Sequence, residues 1–127
     1  MEIKKVGVVG CGLMGHGIVQ VAAQGGCDVV AFEMDEGALA KGIARIEKSL
    51  SKLASKNVEK GKMSEDEAQA WVAETRGRIA SSTEKASLAD CDLVVEAIVE
   101  NLDAKKGLFS ELGGTCKPET IFASNTS

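Results

Sequence analysis

Three glycines and one acid set out the chemistry this chain could perform. Gly10, Gly12 and Gly15 stand in the spacing GxGxxG, directly after the apolar run VGVV and directly before a helix-like segment. In that setting Gly10 permits a tight strand-to-helix turn, Gly12 lets backbone approach a diphosphate, and Gly15 lets the helix pack against the strand. The loop formed by Gly10, Cys11, Gly12, Leu13, Met14 and Gly15 is therefore the candidate seat for a dinucleotide's phosphates. The free N–H groups and positive dipole end of the helix face them. Glycine makes up 14 of the 127 residues, so the spacing alone carries little weight, and its setting carries the reading.

Glu33 completes the pattern. It lies 18 residues beyond Gly15, at the end of the strand-like run DVVAF, close to the roughly 20-residue offset at which such folds place an acid on the adenosine ribose. A carboxylate there accepts both ribose hydroxyl protons and repels a 2′-phosphate, so NAD is favoured over NADP. No arginine stands nearby to reverse the choice. The single histidine, His16, follows Gly15 on the first helical turn, where no reacting carbon would be near. It reads as a helix-surface residue.

The elements needed to hold these groups alternate along the chain. After Gly15, Ile18, Val21 and Ala22 continue the helical spacing begun by Met14, and Gly25-Gly26 would stop the helix. Residues 36–78 then hold two helical patterns where one crossover helix would suffice. In the first, Leu39, Ile43, Ile46, Leu50 and Leu53 form a narrow apolar seam. The second opens on a capping box, Ser64 and Glu67, and places Ala68, Trp71, Val72 and Thr75 on one face. An antiparallel helical hairpin is expected. Further strands are expected at Arg78–Ser82, Asp92–Ile98 and Ile121–Ser124, with Asp103 capping a helix through Leu108, Phe109 and Leu112 that Gly113-Gly114 would end. The implied fold is α/β: a Rossmann-type, doubly wound parallel sheet in the order 3-2-1-4-5, with a helical-hairpin insertion between the second and third strands.

Bulk properties narrow the function classes. The length suits one domain, 1–127, and is short for a complete dehydrogenase. A formal net charge of -4 argues against a nucleic-acid surface. No apolar run nears the roughly 20 residues that span a bilayer, and the first residues lack a signal-peptide pattern, so a cytoplasmic protein is expected. Cys11, Cys27, Cys91 and Cys116 form no CxxC pair, which points to reduced thiols and away from a zinc site. On one face of the first hairpin helix, opposite its apolar seam, run Lys41, Arg45, Lys48, Lys52 and Lys56.

Taken together, GCGLMGHGI, the long hairpin, VVEAIVENLDAKKGLF and CKPETIFASNTS resemble the 3-hydroxyacyl-CoA dehydrogenases over essentially the whole chain, nearest the bacterial members acting on 3-hydroxybutyryl-CoA. The resemblance implies the NAD-binding domain of an oxidoreductase that interconverts a 3-hydroxyacyl-CoA and a 3-oxoacyl-CoA, hydride passing to NAD. It implies further cofactor contacts at Ala97, Glu100, Lys105 and Ser127, Ser127 also touching substrate, and coenzyme A contacts at Ser49 and Lys56. Removing the hydroxyl proton needs a general base, which the family supplies as a histidine after the SNTS segment, together with a helical C-terminal domain that closes the acyl site and forms a homodimer. Little turnover is thus expected of these residues alone, and self-association through the outer edge of the fifth strand is expected. Two other readings stay open: another β-hydroxyacid or 6-phosphogluconate-type dehydrogenase, which would lack the hairpin and the VVEAIVEN and SNTS segments, and a non-catalytic nucleotide-sensing module.

Overall fold

The structure, a computed structural model, describes residues 3–10, 15–97 and 113–124. Strand β1 (Lys5–Val9) leads through the glycine loop into helix α1 (Gly15–Gln24), then β2 (Asp28–Phe32), α2 (Glu36–Glu59), α3 (Glu65–Gly77), β3 (Ile79–Ser82), a single 3-10 turn at Lys85–Leu88, β4 (Leu93–Glu96) and β5 (Ile121–Ser124). The strands form one parallel sheet in the order β3-β2-β1-β4-β5, as the alternation requires.

Side chains alternate between the sheet's two faces. Val6, Val8, Val29, Ala31 and Ile79 meet α1 and α2 through Val19, Ala23, Ile46 and Leu50. The opposite face gathers Val9, Val30, Phe32, Leu88, Cys91, Val94 and Cys116. Phe32, Ile46, Leu50 and Leu88 are among the largest fully buried side chains, and each contributes about 1.5–3 kcal/mol of transfer free energy. Burial pushes the Cys91 thiol up to about 11 and raises that of Cys116, so both are protonated packing groups at neutral pH.

Several expectations are corrected. In α1 the buried stripe is Gly15, Val19 and Ala23, while Val21 is 68% exposed. Val21 borders an apolar cleft of about 530 Å³ against Val6, Leu93 and Val95, which no described element covers. In α2 the buried positions are Gly42, Ile46, Leu50 and Ala54, and Leu53 is 36% exposed. A straight helix of 3.6 residues per turn drifts off a strict seven-residue repeat, and Ala54 takes the place the seam assigned to Leu53. Arg78 caps α3 instead of opening β3. Its guanidinium donates to the Ala23 carbonyl at 2.9 Å and to Glu74, while Arg76 donates to the Ile79 carbonyl and faces Glu47. These bonds fasten the hairpin to α1 and to the start of β3. Residues 113–115 are helical, so Gly113 and Gly114 do not end that segment; Asp103, Leu108, Phe109 and Leu112 lie outside the described residues. The Ser64–Glu67 capping box is present in both directions, and the hydroxyl of Thr75, fully buried, has no hydrogen-bond partner among the described residues.

Asp92, expected inside β4, instead ties the amino-terminal ends of three strands. Its Oδ2 accepts from the backbone N–H of Lys4 at 2.9 Å and of Lys5 at 3.0 Å, and its Oδ1 from Lys117 Nζ at 2.5 Å. The Lys117 ammonium and the two backbone donors hold the Asp92 carboxyl well below the usual carboxylate range, and the same contact raises Lys117. A carboxyl depressed by folding stabilises the chain above its unfolded value, and that stability is lost as pH falls through the folded value. The Asp92→Asn variant should accordingly show a flatter loss of urea stability than the parent between about pH 5 and pH 2; parallel curves would count against the clasp.

Candidate functional site

At the carboxyl ends of the strands, register brings the sequence-marked groups side by side. Val9 pairs with Phe32 on one side and Glu96 on the other, and Glu96 pairs with Ser124. Gly10, Glu33 and Ala97, each one residue further, therefore lie along one edge of the sheet, roughly 5 Å between neighbouring strands. Gly10 donates to the Phe32 carbonyl at 2.8 Å, and Ala97 to the Val9 carbonyl at 2.8 Å. β1 and β4 are the adjacent strands at which the strand order reverses, the switch point at which such sheets take ligands.

Gly10 has φ +94, a conformation L side chains rarely adopt. Gly15 is buried at the first position of α1, and a Cβ there would stand 1.9 Å from the Gly10 carbonyl oxygen and 2.7 Å from its carbon. Helix and strand approach as closely as they do because position 15 lacks a side chain. The first turn of α1 carries no acid, so no carboxylate of its own offsets the positive end of the helix dipole. The pair is a cradle that a Cβ would fill, and it fits a diphosphate. Cys11, Gly12, Leu13 and Met14, which complete the loop, lie outside the described residues.

Glu33 is half-buried just beyond β2. Its N–H donates to the Ser82 carbonyl at 3.1 Å, and its Oε1 accepts from the Asp35 N–H at 3.3 Å. Its other oxygen bonds to no described residue. Asp35 is engaged differently: its Oδ1 accepts from Gly37 N at 2.9 Å and Ala38 N at 3.3 Å, capping α2. Of two neighbouring acids, Asp35 serves the helix, while Glu33 keeps one carboxylate oxygen without a partner among the described residues. His16 is half-buried on the first turn of α1.

Ser49 and Lys56 stand apart from this edge. Both are on α2, seven residues and hence two turns apart on one side of the helix. Ser49 is half-buried and Lys56 exposed. A cleft of about 650 Å³ between α2 and α3 is lined by Ser51, Ser55, Val58 and Gln69 on another side, and includes neither. Glu100, Lys105 and Ser127 lie outside the described residues. Sequence reasoning passed over Glu96, a fully buried carboxylate at the carboxyl end of β4; an acid closing an otherwise apolar strand was the available signal.

Comparison with known proteins gives a consistent result. Residues 5–127 match the family model described as 3-hydroxyacyl-CoA dehydrogenase, NAD binding domain. A probable 3-hydroxybutyryl-CoA dehydrogenase of Deinococcus radiodurans is 52% identical over 97% of this chain and 41% of its own length. The human mitochondrial hydroxyacyl-coenzyme A dehydrogenase is 48% identical over 98% of this chain and 39% of its own. The crystal structure of (S)-3-hydroxybutyryl-CoA dehydrogenase from Ralstonia eutropha superposes with a TM-score of 0.84 at 36% identity, covering 99% of this chain and 42% of that one. The chain thus spans about two-fifths of the length of these relatives.

The two α1 glycines separate packing from propensity. Gly15→Ala should lower stability by about 1–3 kcal/mol in urea unfolding and weaken dinucleotide binding, because α1 must back away from Gly10. Gly17→Ala, whose Cβ would meet nothing within 4 Å, should raise stability by up to about 1 kcal/mol. Equal effects at both positions would contradict the close approach.

Proposed function

The chain belongs to the 3-hydroxyacyl-CoA dehydrogenase family, as its NAD-binding domain, and from that premise we propose that it carries the cofactor half of an oxidoreductase interconverting 3-hydroxyacyl-CoA and 3-oxoacyl-CoA. 3-Hydroxybutyryl-CoA is the substrate that the names of the relatives favour. One observation supports this reading above the others: the side-chain-free contact of Gly15 with Gly10 lies at the same sheet edge as Glu33.

In this arrangement Glu33 accepts hydrogen bonds from the adenosine ribose and repels a 2′-phosphate. The glycine loop, Gly10 to Gly15 with Cys11, Gly12, Leu13 and Met14, holds the diphosphate against the start of α1. Ala97, Glu100, Lys105 and Ser127 receive the nicotinamide half, Ser127 also meeting the substrate oxygen. When bound, NAD accepts the hydride. Ser49 and Lys56 contact coenzyme A on α2. His16, held on the phosphate-side helix, takes no proton from the alcohol, and a base beyond these residues is needed for turnover.

The finer setting follows the same reading. The longer protein works in the cytoplasm as a homodimer, without nucleic-acid or membrane partners. No helix among the described residues is long and apolar enough to cross a membrane. β5 pairs with β4 alone among the described strands, and Ile121 there is 47% exposed, an open edge of the kind that recruits a second copy. The chain should accordingly show concentration-dependent association in light scattering; a monomer at high concentration removes this element.

Calorimetric titration tests the cofactor assignment. NADH should bind at least about tenfold tighter than NADPH, and Glu33→Gln should weaken NADH by about tenfold or more while narrowing the preference. No affinity for NADH, or a preference for NADPH, would overturn it.

A further inference from the structure

Helix α2 carries five exposed cations, Lys41, Arg45, Lys48, Lys52 and Lys56, at intervals of four, three, four and four residues. The intervals put all five on one side of the helix over about 22 Å. None makes an ion pair with a described residue. The one acid inside the run, Glu47, points elsewhere and faces Arg76 at 3.5 Å. Lys5, Arg78 and Lys117, by contrast, each sit against a carboxylate. On a chain of net charge -4, this is a continuous positive band.

We infer that this band, beyond any contact at Ser49 and Lys56, steers the coenzyme A portion of the substrate onto the hairpin and thereby sets the rate at which CoA thioesters are captured. The inference rests on the acyl-CoA reading above and deepens it. Coenzyme A carries a diphosphate and a 3′-phosphate, and a net-negative protein repels such a ligand at long range. A local row of unpaired cations reverses that sign within about a Debye length, 8 Å at physiological salt. Its length exceeds what one pair of contacts needs, so Lys41, Arg45 and Lys48 act on the approaching ligand and not on the seated one. The effect falls on the association rate, since steering raises encounter and leaves dissociation to short-range contacts.

The test is stopped-flow binding of fluorescent 1,N6-etheno-CoA to the parent chain and to the triple variant Lys41→Gln, Arg45→Gln, Lys48→Gln, in which glutamine preserves helix propensity. The variant should associate roughly tenfold more slowly at low salt, with dissociation changed less than about twofold. The gap should close by about 0.3 M NaCl. NADH association, followed in parallel, should be unchanged. If the parent binds the probe but its association rate ignores salt and the substitutions, or if NADH slows equally, the steering role is overturned while the acyl-CoA reading stands. If the parent does not bind the probe, and Lys56→Gln is indistinguishable from it, the acyl-CoA reading fails and this inference with it.

Discussion

A missing Cβ governs the site. With 1.9 Å between the place where a Gly15 side chain would begin and the Gly10 carbonyl oxygen, α1 and the end of β1 can meet only with glycine at position 15. That approach sets the amino end of α1, with its positive dipole, beside the carboxyl end of β1. Everything else at this edge is placed relative to it: Glu33 through the β1–β2 register, Ala97 through β1–β4. A single methyl group in the wrong position would disturb all three.

The opposite end of the sheet is built for cohesion. There Asp92 gathers two backbone donors and an ammonium, and the buried thiols of Cys91 and Cys116 serve as packing. The hairpin is a third body, held to α1 by the guanidinium of Arg78 on the Ala23 carbonyl and to β3 by Arg76 on that of Ile79. Charge-assisted bonds of this kind are roughly twice as strong as neutral ones. The molecule thus separates a cohesive floor, a binding edge and a charged arm.

How much of this was legible in the sequence varied with the kind of signal. β2 and β5 were read at their observed limits because apolar runs between turn residues leave little choice, and the Ser64–Glu67 box marked the start of α3 because capping is local chemistry. Errors fell where the deciding partner is distant. Leu53 belongs to an apolar repeat but Ala54 faces the core, since helix pitch and the neighbouring α3 settle which residue is covered. Arg78 reads as part of a strand until the Ala23 carbonyl, 55 residues away, is seen to claim it. The placement of Gly10, Gly15 and Glu33 at one sheet edge was readable because strand–turn–helix spacing sets it. Ser49 and Lys56 came from family likeness alone, as a row of charges does not name its ligand. Glu96 was missed because burial of an acid is a property of the assembled sheet.

The all-parallel sheet also fixes how the chain must reach its native state. No two neighbouring strands can be zipped by a tight turn: even β1 and β2 are separated by a helix, and Val6 finds its β4 partner 87 residues further on. The loop-closure entropy of each pairing must be met before its contacts form. Among the described helices only α2 and α3, joined by a short link around Gly61, follow one another directly and can pair locally. Folding is therefore nucleated in the appended arm or waits upon the slow gathering of distant strands, and the central strand β1, flanked on both sides, is completed only when the far half of the chain arrives.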